Sequence, residues 1–287
     1  MTDQANRLRA LTRGQKAPDT LFGSRVMAIA SGKGGVGKTN VVAGLAMALA
    51  QQGQRVAVLD ADFGLANLDI LLGLAPQFTL EHVLRGEKLL EEILLDGPFG
   101  IRIIPASSGI QELTRLDAAA ELRLIQGLQR VSQSIDWLLI DTAAGIHDSV
   151  IKLLMAAQEV LLVTTPEPTA LVDAYAMVKV VHLRDPLKPL WLLVNNAQNE
   201  EEAEETIEQL QAAIRRFLDK EIHVLGMVPT DPFMLQSVRQ QRCVVDLFPQ
   251  APSSLAFTSA ARQLQQKIPL QKEGFAAFWK GLSAEEP

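Results

Sequence analysis

Eight consecutive residues have the composition of a loop that wraps a phosphate group: Gly32-Lys33-Gly34-Gly35-Val36-Gly37-Lys38-Thr39. An apolar run of strand length precedes them, and apolar residues at helical spacing follow. Glycine lets several backbone N–H groups point at one anion, and the start of the next helix adds its positive dipole end. Lys38 would reach the β- and γ-phosphates, and the Thr39 hydroxyl would hold Mg²⁺. We expect residues 32–39 and Asn40 to bind the phosphates of a nucleotide.

Three aspartates follow two further strand-like runs. Asp60 ends residues 55–60 and Asp62 follows it by two residues, while Asp141 ends residues 136–141. In an open α/β sheet, carboxylates just beyond the strand ends face the ligand crevice. One carboxylate can hold water on Mg²⁺ and another can orient the attacking water. Asp141 suits a metal-binding role, direct or through water, and Gly145 would let a backbone N–H approach the γ-phosphate.

The loop contains a second lysine, Lys33, which an ordinary phosphate loop does not need. Its sequence KGGVGKT resembles the deviant Walker-A ATPases of the MinD/ParA group. The resemblance implies an ATP-dependent sandwich dimer, in which Lys33 crosses the interface and touches the nucleotide of the other subunit. Residues 60–69 (D-x-D-x-G-L-x-N-L-D) and 141–145 (D-T-x-x-G) match the two switch segments of that family. This match implies that Asp62 positions the hydrolytic water and that Asp60 supports the metal.

Two later segments resemble the adenine side of the same family. An asparagine amide can bond both a donor and an acceptor on a purine edge, and in the family an asparagine at the position of Asn195 reads adenine. Residues 229–232 resemble the second adenine-side segment, which places Pro229 and Asp231 near the base. Spacing alone leaves open that Asn195 is an ordinary turn residue.

The N-terminus carries the pattern Asp3-Gln4-Ala5-x-x-Leu8-Arg9. It is similar to the DQAxxLR element of the FlhG/FleN family of MinD-like flagellar-number regulators. In that family the element binds the SRP-type GTPase FlhF and stimulates its GTP hydrolysis. The resemblance therefore implies that Gln4 enters a composite GTPase site. On physical grounds alone, a frayed leader without a role is the alternative.

The C-terminal tail carries one apolar stripe. Phe275, Phe278, Trp279 and Leu282 fall at i, i+3, i+4 and i+7, which places them on one face of a helix. In MinD-like proteins a C-terminal amphipathic helix binds the membrane surface, and the resemblance implies the same here. The alternative is that this stripe packs on the protein's own body.

The chain has 287 residues, of which 48% are hydrophobic and 5% aromatic, and this suits one large α/β domain. Alternating strand and helix patterns predict a doubly wound, mostly parallel sheet with helices on both faces. We expect a partner-activating helix and linker over residues 1–24, a MinD-like ATPase domain over 25–268 and the amphipathic tail over 269–287. The last helices of the domain are predicted over 238–242 and 253–265.

Composition also argues against several classes of protein. The sequence contains no apolar run long enough for a transmembrane helix and no signal-peptide core near its start. The single Cys243 excludes a disulfide framework and leaves no cysteine pair within one chain for an iron–sulfur site, unlike metal-carrier ATPases of the nitrogenase-reductase type. A net charge of −6 does not favour direct binding to nucleic acid.

The resemblance as a whole implies a slow, Mg²⁺-dependent ATPase that forms a homodimer with ATP and is a monomer with ADP or without nucleotide. It would regulate flagellar number and placement, and its implied partners are FlhF, a FleQ-type transcription activator and flagellar C-ring proteins. We expect it in the cytoplasm, reversibly associated with the inner face of the cytoplasmic membrane. Two alternatives stay open: a MinD/ParA-type positioning ATPase for another cargo, and a non-catalytic, ATP-loaded antagonist of a flagellar transcription activator.

Overall fold

The computed structural model describes residues 24–62, 68–105 and 118–266, which form one eight-stranded sheet covered by helices. The strands are β1 (Arg25–Ala30), β2 (Val56–Ala61), β3 (Leu95–Asp96), β4 (Arg102–Ile104), β5 (Trp137–Thr142), β6 (Glu159–Thr164), β7 (Leu190–Ala197) and β8 (His223–Pro229). The helices of the first half are α1 (Lys38–Gln51), α2 (Leu68–Leu71), α3 (Leu80–Leu84), α4 (Leu90–Ile93) and α5 (Ala118–Ser132). Those of the second half are α6 (Asp148–Ala156), α7 (Pro168–Arg184), α8 (Glu200–Leu218), α9 (Pro232–Arg239), α10 (Val244–Leu247) and α11 (Pro252–Gln266).

The strands lie in the order β3-β4-β2-β5-β1-β6-β7-β8. Every neighbouring pair is parallel except β3 with β4. Strands β2, β5 and β1 are parallel neighbours in the middle of the sheet, so their carboxyl ends meet at the centre of one edge. The predicted doubly wound, mostly parallel sheet is therefore confirmed.

The central strands are buried on both faces because helices cover each side of the sheet. Along β1, Val26 and Ala28 belong to one apolar cluster while Met27 and Ile29 belong to the other, as the two-residue strand period requires. Helices α1 and α11 supply the cluster around Met27, and α5 to α8 supply the opposite one. Most of α1 is fully buried, and this fixes the helix that follows the phosphate loop firmly against the sheet.

Several elements differ from the sequence-based expectations. The helix predicted over 238–242 is wrong, because α9 begins at Pro232, where Asp231 caps it, and ends at Arg239. The short antiparallel strand β3 and the helix α6 were not predicted. The predicted leader residues Asp3, Gln4, Ala5, Leu8 and Arg9 lie outside the described residues. So do the tail residues Phe275, Phe278, Trp279 and Leu282.

Candidate functional site

The glycine-rich loop leaves the end of β1 and turns into α1. Gly35 and Gly37 both have a φ of +82°, a left-handed conformation that favours glycine. Gly37 is the residue immediately before the first turn of α1, so the free N–H groups of that turn lie beside the loop. A Cβ on Gly32 would stand 2.4 Å from the backbone of Asp173 in α7, which shows how closely α7 approaches the loop. The local geometry is that of an anion-binding turn.

Lys38 and Asp141 form a buried ion pair at the centre of the site. The Lys38 ammonium donates to an oxygen of the Asp141 carboxylate, and both residues are less than 10% exposed. Burial raises the pKa of Asp141, although Lys38 and a hydrogen bond from Thr39 lower it in part. The arrangement brings together the loop lysine, the loop threonine and the aspartate at the end of β5, as the sequence predicted. A phosphate reaching this point would find one cation and one hydroxyl within the same small volume.

Asp60 lies beside Asp141, because the two are paired in register across β2 and β5. One Asp60 oxygen accepts from the Asp62 N–H at 3.1 Å and the other from the Leu68 N–H at 3.2 Å. Burial, together with the negative charge of Asp141, raises the pKa of Asp60 to about 7. Two carboxylates held side by side favour the binding of positive charge between them.

The segment after β5 is tied to the loop by its backbone. The Gly145 N–H donates to the Ser31 carbonyl oxygen at 2.9 Å, and Gly145 has a φ of +91°. This hydrogen bond joins the predicted second switch segment to the residue that precedes the phosphate loop. The N–H predicted to approach a γ-phosphate thus has a partner within the chain.

A cleft of about 540 Å³ opens over the loop. Besides loop residues 34–40 and Asp62, it is lined by residues from four other parts of the chain: Ser31, Ile70, Leu71, Ala144, Val238 and Gln241. Sequence reasoning missed Val238 and Gln241, which reach the cleft from the end of α9 and the turn after it. No spacing pattern relates them to the loop, so only the folded chain reveals them.

Lys33, the second lysine of the loop, points along the surface rather than into the cleft. Its ammonium pairs with Glu167 at 2.8 Å and lies 3.2 Å from the Thr169 hydroxyl at the start of α7. The Lys33 side chain is 41% exposed and that of Glu167 is 63% exposed. Lys33 is therefore available to a second molecule, and its reach across a dimer stays a prediction.

The predicted adenine-side residues make contacts within the protein. The Asn195 amide nitrogen donates to the Val36 carbonyl at 2.7 Å and the residue is buried. One Asp231 oxygen accepts from the Phe233 N–H at 2.9 Å, and the other accepts from the Ser253 N–H and hydroxyl at 3.0 and 2.6 Å. Pro229 ends β8. Adenine recognition by Asn195, Pro229 and Asp231 stays a prediction.

The oxygen ligands and the cation at this site suit a nucleotide with bound Mg²⁺. Mg²⁺ prefers oxygen ligands and usually binds through one or two carboxylates or hydroxyls, phosphate oxygens and retained water. Thr39, Asp60 and Asp141 offer one hydroxyl and two carboxylates beside the loop, and Lys38 offers the matching cation for phosphate.

None of the described helices is both long enough and apolar enough to cross a membrane.

Comparisons with known proteins agree with this geometry. Residues 27–242 match the family model of the CobQ/CobB/MinD/ParA nucleotide binding domain. The chain is 42% identical over 264 residues to "Antiactivator FleN" of Pseudomonas aeruginosa, covering 92% of this chain and 94% of that one. It is 34% identical over 292 residues to "Flagellum site-determining protein YlxH" of Helicobacter pylori, covering 98% of both.

A solved structure gives the same result for the fold. The septum site-determining protein MinD from Pyrococcus horikoshii, complexed with Mg-ADP, superimposes with a TM-score of 0.69 at 26% identity. The match covers 85% of this chain and 96% of that one. The fold seen here is therefore one that holds a magnesium nucleotide in a similar protein.

Proposed function

Because this chain belongs to the CobQ/CobB/MinD/ParA nucleotide-binding family and, within it, to the FleN/FlhG group, we propose that it is an ATP-driven switch that regulates bacterial flagella. The observation that carries the proposal is the buried Lys38–Asp141 pair beneath a glycine-rich loop, with Asp60 in register beside it. Together with the Thr39 hydroxyl, these groups supply the cation and the oxygen ligands that a magnesium triphosphate needs. The two flagellar relatives span nearly the whole chain, which supports the cellular role.

In the proposed mechanism the loop N–H groups and Lys38 hold the β- and γ-phosphates. Thr39, Asp60 and Asp141 would together hold Mg²⁺ beside these phosphates. The ion, when bound, neutralises charge on the phosphate oxygens. Asp62, at the edge of the cleft, orients the water that attacks the γ-phosphorus, and ADP and phosphate leave. Positioning and charge stabilisation account for most of catalysis in this reaction class.

The switch itself is a change of partners at the cleft. The Gly145 N–H donates to the Ser31 carbonyl oxygen in the structure. With ATP it would turn to the γ-phosphate, and the segment around it would adopt the shape that a second subunit recognises. Lys33 would then leave Glu167 and reach the nucleotide of the partner. Hydrolysis would reverse these steps and release two monomers.

Asp62→Ala tests the enzymatic part of the proposal. ATP binding should persist while turnover falls at least about a hundredfold, because the water loses the group that orients it. The variant should therefore accumulate as an ATP-bound dimer in size-exclusion chromatography with light scattering. Lys38→Ala is the matched comparison and should form no dimer with ATP. Normal turnover by Asp62→Ala would remove Asp62 from the mechanism.

The flagellar part of the proposal is tested through the N-terminal motif. A peptide of residues 1–20 should stimulate GTP hydrolysis by the cognate SRP-type GTPase FlhF, and a Gln4→Ala peptide should not. Stimulation that depends on Gln4 would support an activating role for Asp3, Gln4, Ala5, Leu8 and Arg9. An active FlhF that ignores the natural peptide would leave a MinD/ParA-type switch with another cargo.

A second function is favoured by the name of one relative, an antiactivator. The ATP-loaded chain would bind and restrain a FleQ-type transcription activator, with hydrolysis incidental. Asp62→Ala separates the two proposals, because it should keep this restraint while it loses turnover. The proposed cycle also includes contacts with flagellar C-ring proteins. It includes reversible membrane binding through the apolar stripe of the tail: Phe275, Phe278, Trp279 and Leu282. The cycle would take place in the cytoplasm and at the inner face of the cytoplasmic membrane.

A further inference from the structure

Asn195 is placed to control the phosphate loop from a distant strand. It lies near the end of β7, which is separated from β1 by β6. Its amide nitrogen nevertheless reaches the Val36 carbonyl oxygen at 2.7 Å, and Asn195 is only 4% exposed. An irregularity in the pairing of β7 with β8 falls between Asn195 and Ala197. Asn196 occupies this bulge with a φ of +58° and is exposed, while Asn195 stays buried beneath the loop.

The Asn195 contact with the loop requires glycine at position 37. A Cβ on Gly37 would stand 2.4 Å from the Asn195 amide nitrogen, so a side chain at position 37 would collide with it. The Val36 side chain is buried in the apolar cluster beneath α1. Val36 is therefore fixed at two points, by its side chain in the core and by its carbonyl on Asn195. The Asn195 contact and the glycine at position 37 are complementary parts of one arrangement.

The consequence for the anion follows from the planarity of the peptide bond. In a trans peptide the carbonyl of one residue and the N–H of the next point in opposite directions. Because Asn195 holds the Val36 carbonyl on one side of the loop, the Gly37 N–H must point to the other side. Gly37 lines the cleft, so the direction of this N–H is fixed at a point where the loop borders the cleft.

We propose that Asn195 is a positioning residue for triphosphate binding, which sets the plane of the Val36–Gly37 peptide so that the loop is preorganised for phosphate. This inference rests on the proposed nucleotide-binding function. It differs from the adenine role predicted for Asn195 from the sequence, because a positioning role acts on the phosphates and is independent of the base. The two roles therefore make different predictions for ligands that share a triphosphate.

Asn195→Asp is the sharpest test, since it keeps the size of the side chain and replaces the donor with an acceptor that faces the Val36 carbonyl. The affinities of the full-length chain for the magnesium salts of ATP, GTP and inorganic tripolyphosphate would be measured by competition against a fluorescent triphosphate. We expect each ligand that the natural chain binds to lose affinity by the same factor, about tenfold or more. The ratio of ATP to GTP affinity should not change.

Asn196→Asp is the matched control, because it makes the same chemical change one residue along, where the side chain is exposed and aspartate also tolerates a positive φ. It should leave all three affinities unchanged. Should Asn195→Asp fail to fold by circular dichroism, Asn195→Ser removes the contact without adding a charge, and the same equal loss is expected.

The outcomes are distinct. A loss confined to ATP, or no loss for any ligand, overturns the positioning role of Asn195. A natural chain that binds none of the three ligands overturns the proposed function instead. An equal loss for all ligands, with unchanged binding by Asn196→Asp, supports the inference.

Discussion

The ionisation of Asp60 should make the stability of the folded chain depend on pH near neutrality. Its pKa is raised from 3.8 to about 7 by burial and by the charge of Asp141. The folded chain therefore holds this proton more tightly than the unfolded chain. The resulting stability is complete below about pH 4 and is lost as the pH rises through about 7.

We predict that Asp60→Asn flattens this dependence. Between pH 5 and pH 8 the free energy of unfolding of the natural chain, without nucleotide, should fall by about 2–3 kcal/mol more than that of the variant. Urea denaturation at several pH values measures both slopes. Parallel profiles for the two proteins would show that Asp60 does not titrate in this range.

The sequence alone predicts that the residues around the phosphate loop lie close together. Lys38, Thr39, Asp60 and Asp141 each follow a strand-like run, so their convergence at one sheet edge was predictable from periodicity and topology. The contact of Asn195 with Val36 was not predictable, because it depends on β7 lying two strands from β1 and on the bulge at Asn196. Local patterns specify which residues end strands, but they do not specify which distant side chain supports a loop.

At the scale of elements, Asp231 joins the starts of two helices. One oxygen caps α9 through the Phe233 N–H, and the other bonds the N–H and hydroxyl of Ser253 at the start of α11. Burial raises the pKa of Asp231, but these hydrogen bonds outweigh it and the net shift is downward. The corresponding stability is present at neutral pH and lost on acidification below about pH 4.

Asp231→Ala should therefore lower the free energy of unfolding at pH 7 by about 2 kcal/mol, as expected for the loss of three hydrogen bonds at the starts of two helices. The difference from the natural chain should shrink as the pH falls toward 3. Chemical denaturation at pH 7 and pH 3.5 measures it. Equal stability of both proteins at pH 7 would mean that solvent replaces the carboxylate at no cost.

Asp231 also marks a helix start that the sequence-based prediction does not identify. The cap at Asp231 followed by Pro232 is a helix-start signal, yet the predicted helix was placed at 238–242 instead. Strands β2 and β5 match the runs predicted over 55–60 and 136–141 to within one residue, because each is a continuous apolar stretch that is buried along its whole length. β3 has only two residues, too few to produce a periodic signal.

At the scale of the whole molecule, Lys33 separates the stability of the monomer from assembly of the dimer. Its contacts with Glu167 and Thr169 are on the surface, and exposed ion pairs contribute about 0–1 kcal/mol. The loop and the Lys38–Asp141 pair do not depend on Lys33. Loss of Lys33 should therefore spare the fold and the nucleotide site while it removes the proposed contact between subunits.

We predict that Lys33→Ala keeps the melting temperature and the ATP affinity of the natural chain but stays a monomer with a non-hydrolysable ATP analogue. Sedimentation velocity with and without the analogue distinguishes monomer from dimer. Lys179→Ala, an exposed lysine later in α7, is the control and should dimerise normally. A dimer of Lys33→Ala with unchanged affinity would rule out the proposed contact in trans.

The single cysteine of the chain has a practical consequence for such experiments. Cys243 is buried and its thiol pKa is raised to about 12, so almost no reactive thiolate forms at neutral pH. Maleimide dyes should therefore leave the natural chain unlabelled under native conditions. A Val172→Cys substitution, at a position 67% exposed on α7, would accept one fluorophore without removal of the native thiol. Because the native thiol stays unlabelled, fluorescence resonance energy transfer between dyes at position 172 would report only the distance between two subunits.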